Sequence, residues 1–179
     1  MLLPDYKLVR LDYLTKVSLF NCDNTDLNDF IINDALNHQG ELLSVTYIWL
    51  DDKDIPIAFV SLSNDKIIKS EMINFWNHLC RVIPNNKRRK HYPAVLLQRL
   101  GVSNELQGKG LGSEIITFLK AWFTVNNKTG CRFIIVDAYN EEKVINFYTK
   151  NGFNFLSNND QSNHTRHMYY DLMIFKTKK

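Results

Sequence analysis

Val95-Leu96-Leu97-Gln98-Arg99-Leu100-Gly101-Val102, followed after four residues by Gln107-Gly108-Lys109-Gly110-Leu111-Gly112, is the stretch on which the fold turns. The first run is mostly apolar, which predicts a strand covered on both faces and central in its sheet. Beyond the second run, Leu111, Ile115, Phe118, Leu119, Trp122 and Phe123 fall on one face of a long helix. The glycines therefore sit at a strand-to-helix junction. Small residues there let the backbone approach an anion closely, and first-turn amides have no acceptor within their own helix. A pyrophosphate can accept those bonds while meeting the positive end of the helix dipole. Glycines alone do not decide the matter, because a tight turn needs them as well. The run lacks the Lys-Ser/Thr ending of a P-loop, and its glycines are too closely spaced for a dinucleotide fingerprint.

Working outward, Phe133–Ala138 reads as a second buried strand and Glu142–Lys150 as a short helix. Asn151-Gly152 stops that helix, since glycine takes the left-handed terminating conformation. Phe153–Leu156 and Met168–Phe175 are expected to complete the sheet. Upstream, Tyr6–Leu11 is expected as the first strand. Asp23-Asn24-Thr25 then leads into a helix over Asp26–Asn37, with Leu27, Phe30, Ile31, Ala35 and Leu36 as its apolar stripe. Asp26 and Asp29 in its first turn suit the helix dipole. Val45–Leu50 and Ile57–Ser63 form an expected hairpin around Asp51-Asp52-Lys53-Asp54. Residues 64–92 are a variable segment. Ile67, Ile68, Met72, Phe75, Trp76 and Leu79 there fit helical spacing, and Asn85-Asn86-Lys87-Arg88-Arg89-Lys90 reads as an exposed connection. The order of elements predicts a mixed α/β fold, with residues 1–179 as one domain.

With 45% hydrophobic and 12% aromatic residues, the 179-residue chain can build a core, which excludes intrinsic disorder. No apolar run approaches the roughly 18 residues of a membrane span. Met1-Leu2-Leu3-Pro4-Asp5 does not read as a secretory signal, so a cytoplasmic location without membrane contact is expected. Cys22, Cys80 and Cys131 form neither a disulfide framework nor a zinc motif. His164-Thr165-Arg166-His167 has no further clustered ligands, and no metal is expected. The charge is uneven: residues 1–80 carry 6 Lys/Arg and 12 Asp/Glu, residues 81–179 carry 16 and 7. A basic half suits an anionic ligand such as a nucleotide cofactor or nucleic acid, or reflects uneven distribution along a chain whose halves pack together.

Arg99-Leu100-Gly101-Val102 with Gln107-Gly108-Lys109-Gly110-Leu111-Gly112 resembles the acyl-CoA signature of the GNAT N-acetyltransferases, Gln/Arg-x-x-Gly-x-Gly/Ala. Val136-Asp137-Ala138-Tyr139-Asn140, then Asn146-Phe147-Tyr148-Thr149-Lys150-Asn151-Gly152-Phe153, resembles the fifth strand and following helix of that superfamily. Phe20-Asn21-Cys22-Asp23-Asn24-Thr25-Asp26-Leu27-Asn28-Asp29-Phe30 is similar to the first-helix region of a branch that includes tRNA-acetylating toxins. The resemblance implies a single-domain GNAT fold, with a mixed sheet of about six to seven strands flanked by helices. That sheet is expected to splay between the strands at 95–102 and 133–138. It further implies acetyl-CoA as co-substrate, its pantetheine pairing with backbone at Leu100, Gly101 and Val102. The pyrophosphate would lie on the turn formed by Gln107, Gly108, Lys109, Gly110, Leu111, Gly112 and Ser113, and Asn140 would touch the cofactor.

Tyr148 stands at the family position for the general acid that protonates departing CoA thiolate. A phenol of pKa about 10 is protonated at neutral pH, whereas an alkyl thiol has about 8.5. Arg99 and Asp137 are further active-site candidates, and Asp137, Glu141 or water could act as base. The implied activity is acetyl transfer from acetyl-CoA to a primary amine of a small molecule or peptide. Two alternatives stand: a toxin-like enzyme acting on aminoacyl-tRNA, and a CoA- or RNA-binding module without turnover. Lys87-Arg88-Arg89-Lys90, with Lys176, Lys178 and Lys179, is either a phosphate grip or a solvated surface. A homodimer and tRNA are both compatible with the sequence as partners.

Overall fold

The described residues form a seven-stranded mixed sheet in the order β1-β2-β3-β4-β5-β7-β6. The structure is a computed structural model and describes residues 3–68, 90–125, 127 and 130–177. Its strands are β1 (Lys7–Arg10), β2 (Val45–Leu50), β3 (Pro56–Ile68), β4 (His91–Val102), β5 (Phe133–Tyr139), β6 (Asn154–Phe155) and β7 (Thr165–Asp171). The α-helices are α1 (Thr25–Asp29), α2 (Ala35–Gly40), α3 (Leu111–Thr124), α4 (Glu142–Lys150) and α5 (Leu172–Thr177). Two compact units are distinguished: Met1–Ser63 with Leu97–Leu119, and Asn64–Leu96 with Lys120–Lys179.

In the first unit, β1, β2 and β3 pair antiparallel. The Asn24 side chain accepts the Leu27 N–H at 3.0 Å and starts α1, as an N-cap side chain does. Between α1 and α2 the helical path widens at Phe30–Asp34, where the Ala35 N–H reaches the Phe30 carbonyl. This π-type turn brings Phe30, Ile31 and Ala35 together into one buried cluster with Leu11, Phe20, Ile48 and Phe59. Phe20 meets Phe59 edge-on at 5.2 Å. The same ring fixes β4: a Cβ on Gly101 would lie 2.4 Å from Phe59 Cε1 and 3.1 Å from Phe20 Cζ. Glycine at 101 is therefore a packing requirement. On α3, Leu111, Ile115, Ile116 and Leu119 are buried, and Phe118 meets Trp49 edge-on at 5.7 Å.

In the second unit, β4 and β5 run parallel with Ala94↔Phe133, Val95↔Ile134 and Leu96↔Ile135. The parallel pairing of β4 with β5 is confined to these three pairs among the described residues. On its other side β5 pairs with β7 from Phe133↔Asp171 to Tyr139↔Thr165. Ile67, Tyr92, Ala94, Phe133 and Tyr169 make the core of this unit. Two ion pairs fix its loops. Arg132 Nη2 donates to Asp171 Oδ2 at 2.8 Å, and Arg166 Nε to Asp160 Oδ1 at 2.9 Å. Burial raises the Asp160 carboxyl, but the His167 N–H and the Arg166 guanidinium outweigh it and hold it below its ordinary value.

Three expectations are corrected. Ile67 and Ile68 end strand β3, with Ile67 buried and Ile68 38% exposed; two adjacent isoleucines carry no period that separates strand from helix. Their expected helical partners Met72, Phe75, Trp76 and Leu79 lie outside the described residues, as do Cys80 and Lys87-Arg88-Arg89. Met168–Phe175 is not one strand, because β7 stops at Asp171 and the chain turns into α5. Asp171 Oδ1 accepts the Met173 N–H at 3.0 Å, capping the new helix. Trp122 does not join the buried face of α3; it is 37% exposed and lies on Phe123. The short helix at Glu142–Lys150 forms with the expected bounds, and Gly152 follows it at φ +79°.

Two stability outcomes are expected from this packing. Gly101→Ala should cost about 1–3 kcal/mol in a urea melt, because the Phe59 ring has to move. Asp160→Asn should cost about 3 kcal/mol at pH 7, since it leaves Arg166 buried without its charge partner. A carboxyl held below its usual pKa of about 3.9 contributes stability above that value and loses it as pH falls through the folded pKa. Urea midpoints of the two proteins should therefore converge in strong acid.

Candidate active site

The turn after β4 is built from a brace and two left-handed glycines. Gln107 Nε2 donates to the Cys22 carbonyl at 2.8 Å and to the Val102 carbonyl at 3.1 Å. Asn104 adds its N–H to the Asn21 carbonyl at 3.0 Å and its Nδ2 to Asp23 Oδ1 at 3.1 Å. The loop before α1 and the loop before α3 are thus tied together. Gly108 and Gly110 take φ of +74° and +90°, and nothing lies within 4 Å of a Cβ at either position. Conformation, not crowding, demands glycine there.

This turn leaves a row of amides bare. The Ser113 and Glu114 N–H groups close onto the Gly110 carbonyl at 3.0 and 3.1 Å, which starts α3. The amides of Gly108, Lys109, Gly110, Leu111 and Gly112 have no protein acceptor among the described residues. Gly108, Lys109 and Gly110 are exposed. Five such donors at the start of a 14-residue helix are an arrangement able to take an anion. Ser113, whose N–H is already engaged, is not one of its free donors.

Leu100, Gly101 and Val102 form the carboxyl end of β4 in the same unit. Arg99 lies with its Nε 3.7 Å from Asp26 Oδ2 and its guanidinium 5.3 Å over the Phe30 ring, while Nη1 donates to the Gln98 carbonyl. It meets the need for a partner that an arginine in an apolar strand has, and ties β4 to α1.

The second unit carries Tyr148, Asp137 and Asn140. Tyr148 faces inward from α4, its ring 5.0 Å from Phe147 and 5.4 Å from Phe153. Burial raises its phenol above the ordinary value, so it keeps its proton throughout the neutral range. Its hydroxyl has no hydrogen-bond partner among the described residues, yet is not one of the fully enclosed polar atoms. A protonated donor with an open partner position results. Asn140 Nδ2 holds the loop before β7 through the carbonyls of Gln161 and Asn163, at 2.9 and 3.0 Å. Asp137 sits opposite His167 in the β5–β7 ladder, with Oδ1 3.5 Å from His167 Nδ1. That partnership was not readable from the sequence, where 30 positions separate the two. Only strand register brings them together. Glu141 stands at the start of α4, where its carbonyl accepts the Ile145 N–H.

Cys22 and Cys131 are buried free thiols, and burial pushes both above their ordinary value, Cys131 to about 11. They are weak nucleophiles. No helix of the described residues is long and apolar enough to cross a membrane.

A mixed sheet with one parallel pair, Ala94–Leu96 on Phe133–Ile135, and a glycine turn presenting bare amides at a helix start suit an α/β acyltransferase. The chain matches the acetyltransferase (GNAT) domain over residues 45–155 and belongs to that family. Among solved structures it is similar to AtaT complexed with acetyl-methionyl-tRNAfMet, at a TM-score of 0.81 and 18% identity, covering 97% of this chain and 99% of that one. A tyrosine-to-phenylalanine mutant of KacT aligns with TM-score 0.81 and 18% identity, covering 98% and 99%. AtaTR bound with AcCoA gives 0.73 and 17%, covering 98% of each. At these identities the likeness is one of fold.

Gly110→Val tests the cradle. With nothing within 4 Å, the variant should fold, as circular dichroism will report. Valine disfavours φ of +90° by about 1–2 kcal/mol and swings the amides away. Acetyl-CoA affinity by calorimetry should fall about tenfold or more. Unchanged affinity in the folded variant would exclude the turn as the pyrophosphate site.

Proposed function

We propose that this chain transfers the acetyl group of acetyl-CoA to the α-amine of an aminoacyl-tRNA, with residues 1–179 acting as one domain. The observation that carries the acetyl-CoA half is the row of bare amides at Gly108–Gly112. Their number and the helix dipole suit a pyrophosphate, and open space at Gly108 and Gly110 lets phosphate oxygens come close. Lys109 adds a mobile positive charge beside them. Backbone at Leu100, Gly101 and Val102 would pair with the pantetheine arm as an added strand does. Asn140 and Gln107 act by holding the two flanking loops in place.

In the reaction the amine attacks the thioester carbonyl, a tetrahedral oxyanion forms, and the C–S bond breaks. Backbone amides near Val102 would donate to the oxyanion. Tyr148 supplies the proton to sulfur, a role that suits a buried phenol whose hydroxyl bonds nothing else among the described residues.

The acceptor half rests on three supports. The structure of AtaT with acetyl-methionyl-tRNAfMet aligns along almost the whole of both chains. The first-helix segment is similar to that toxin branch, and residues 81–179 carry a surplus of 9 positive charges. An aminoacyl ester also has a less basic amine than lysine, whose pKa is about 10.4. The decisive experiment incubates the purified chain with labelled acetyl-CoA, bulk charged tRNA and a pool of primary amines. Label in aminoacyl-tRNA supports the proposal; label only in a small amine replaces the acceptor; CoA binding without any transfer makes the chain a binding module.

Tyr148→Phe should bind acetyl-CoA with unchanged affinity and lose about 10²–10⁴-fold in kcat, measured by thiol release under conditions where chemistry limits the rate. Wild-type turnover in that variant would reduce Tyr148 to a packing residue.

A further inference from the structure

We infer that His167 takes the proton from the attacking amine, and that Asp137 is the residue that positions its imidazole. This rests on the acetyl-transfer reading above and adds the base that reading lacks. Asp137 and His167 are direct partners in the β5–β7 ladder, with Nδ1 3.5 Å from Oδ1 and both side chains about half exposed (His167 55%, Asp137 49%). A carboxylate beside Nδ1 favours the tautomer that carries its proton there and leaves Nε2 as the acceptor. No described residue bonds Nε2.

The ring stands on a fixed piece of backbone. The His167 N–H donates to Asp160 Oδ2 at 2.7 Å, its carbonyl accepts the Leu156 N–H at 2.8 Å, and Asp160 is itself held by Arg166. Asp137 lies two residues beyond Ile135, the last β5 residue of the β4–β5 ladder, at the strand's carboxyl end. Ligands of open α/β sheets bind outside the carboxyl ends of strands.

Strand alternation puts acid and base on different faces. Asp137 and His167 share the face of Phe133, Ile135 and Tyr169. Tyr148 packs through Phe153 onto Tyr170, which belongs to the alternate face. The attacking nitrogen and the departing sulfur are separate substituents on one carbon, and an acid and a base on different faces can serve one each. Attack forms the C–N bond and leaves the nitrogen cationic. His167 Nε2 accepts that proton, Tyr148 delivers one to sulfur as the C–S bond breaks, and amide and thiol leave. The imidazolium then loses its proton to solvent and the Tyr148 phenolate takes one from solvent, which restores both groups.

The groups around the imidazole are Asp137 from β5, Asp160 from the preceding loop through the main chain, and Tyr169 on its own strand, whose phenol burial and the Asp171 charge push up to about 12. Arg166 alternates to the other face and is matched by Asp160. His164 stacks on Tyr139 at 5.3 Å.

The test measures kcat/KM from pH 5.5 to 9 with acetyl-CoA and bulk charged tRNA, for wild type, His167→Gln, Asp137→Asn and Tyr148→Phe. An imidazole base gives a rate that rises through its titration range. His167→Gln should lose about 10²-fold in kcat, lose the acidic limb, keep acetyl-CoA affinity, and regain rate with added imidazole. Asp137→Asn should lose about tenfold in kcat, as a positioning residue would, and keep the limb. Tyr148→Phe should keep the limb. An unchanged limb in His167→Gln, or loss without rescue, overturns the role of His167 alone. A wild-type chain that transfers nothing to charged tRNA overturns the acceptor reading and the base with it.

Discussion

The ring of Phe59 lies against the backbone of Gly101, in space that any side chain at that point of β4 would fill. Phe59 is fully buried, stacked near Phe30 and met edge-on by Phe20, so it yields only at a cost. β4 therefore reaches its carboxyl end without strain only with glycine at that position. The glycine turn is placed by where that end lies. The Gln107 amide binds the Val102 carbonyl, the turn reverses through two left-handed glycines, and α3 begins with its donors uncovered. A hydrophobic contact thus fixes the placement of an electrostatic site. The glycine of a cofactor signature here answers to packing as much as to a ligand.

The second unit solves a different problem, holding polar groups steady at the end of a strand. Asp160 is the centre of that arrangement. One carboxylate oxygen takes the Arg166 guanidinium and the other takes the His167 amide. Asn140 draws the same loop in from the other side through two carbonyls. These are charge-assisted or paired bonds, stronger than isolated neutral ones. They leave His167 on a settled support while its Nε2 stays open.

Much of this was legible in the sequence because the signals were local. The glycine turn and the helix at Glu142–Lys150 with its terminating Gly152 are read from neighbouring residues, and each forms as expected. Other features needed tertiary knowledge. Leu172, Met173, Ile174 and Phe175 continue an apolar run, and only the Asp171 carboxylate, caught between Arg132 and the Met173 amide, breaks it into strand and helix. Arg99 was legible as an arginine needing a partner, but not that Asp26 supplies it. Gln107 and Asn140 fit a cofactor motif, whereas their side chains are engaged with backbone carbonyls of distant loops. Sequence spacing cannot distinguish a residue that touches a ligand from one that holds the loop that does.

The ties between Asn21–Asp23 and Asn104–Gln107 bear on what is inherited together. Three hydrogen bonds join segments about eighty positions apart, and they connect the start of α1 to the start of α3. The family match spans residues 45–155 and leaves the first of these segments outside. In three dimensions the loop before α1 is nonetheless part of the frame of the glycine turn. Drift at Asn21, Cys22 or Asp23 would be felt at amides that no alignment of the matched region associates with them. The smallest heritable unit of this cradle is discontinuous. A recombination event that exchanged only the matched segment would separate the turn from half of its scaffold.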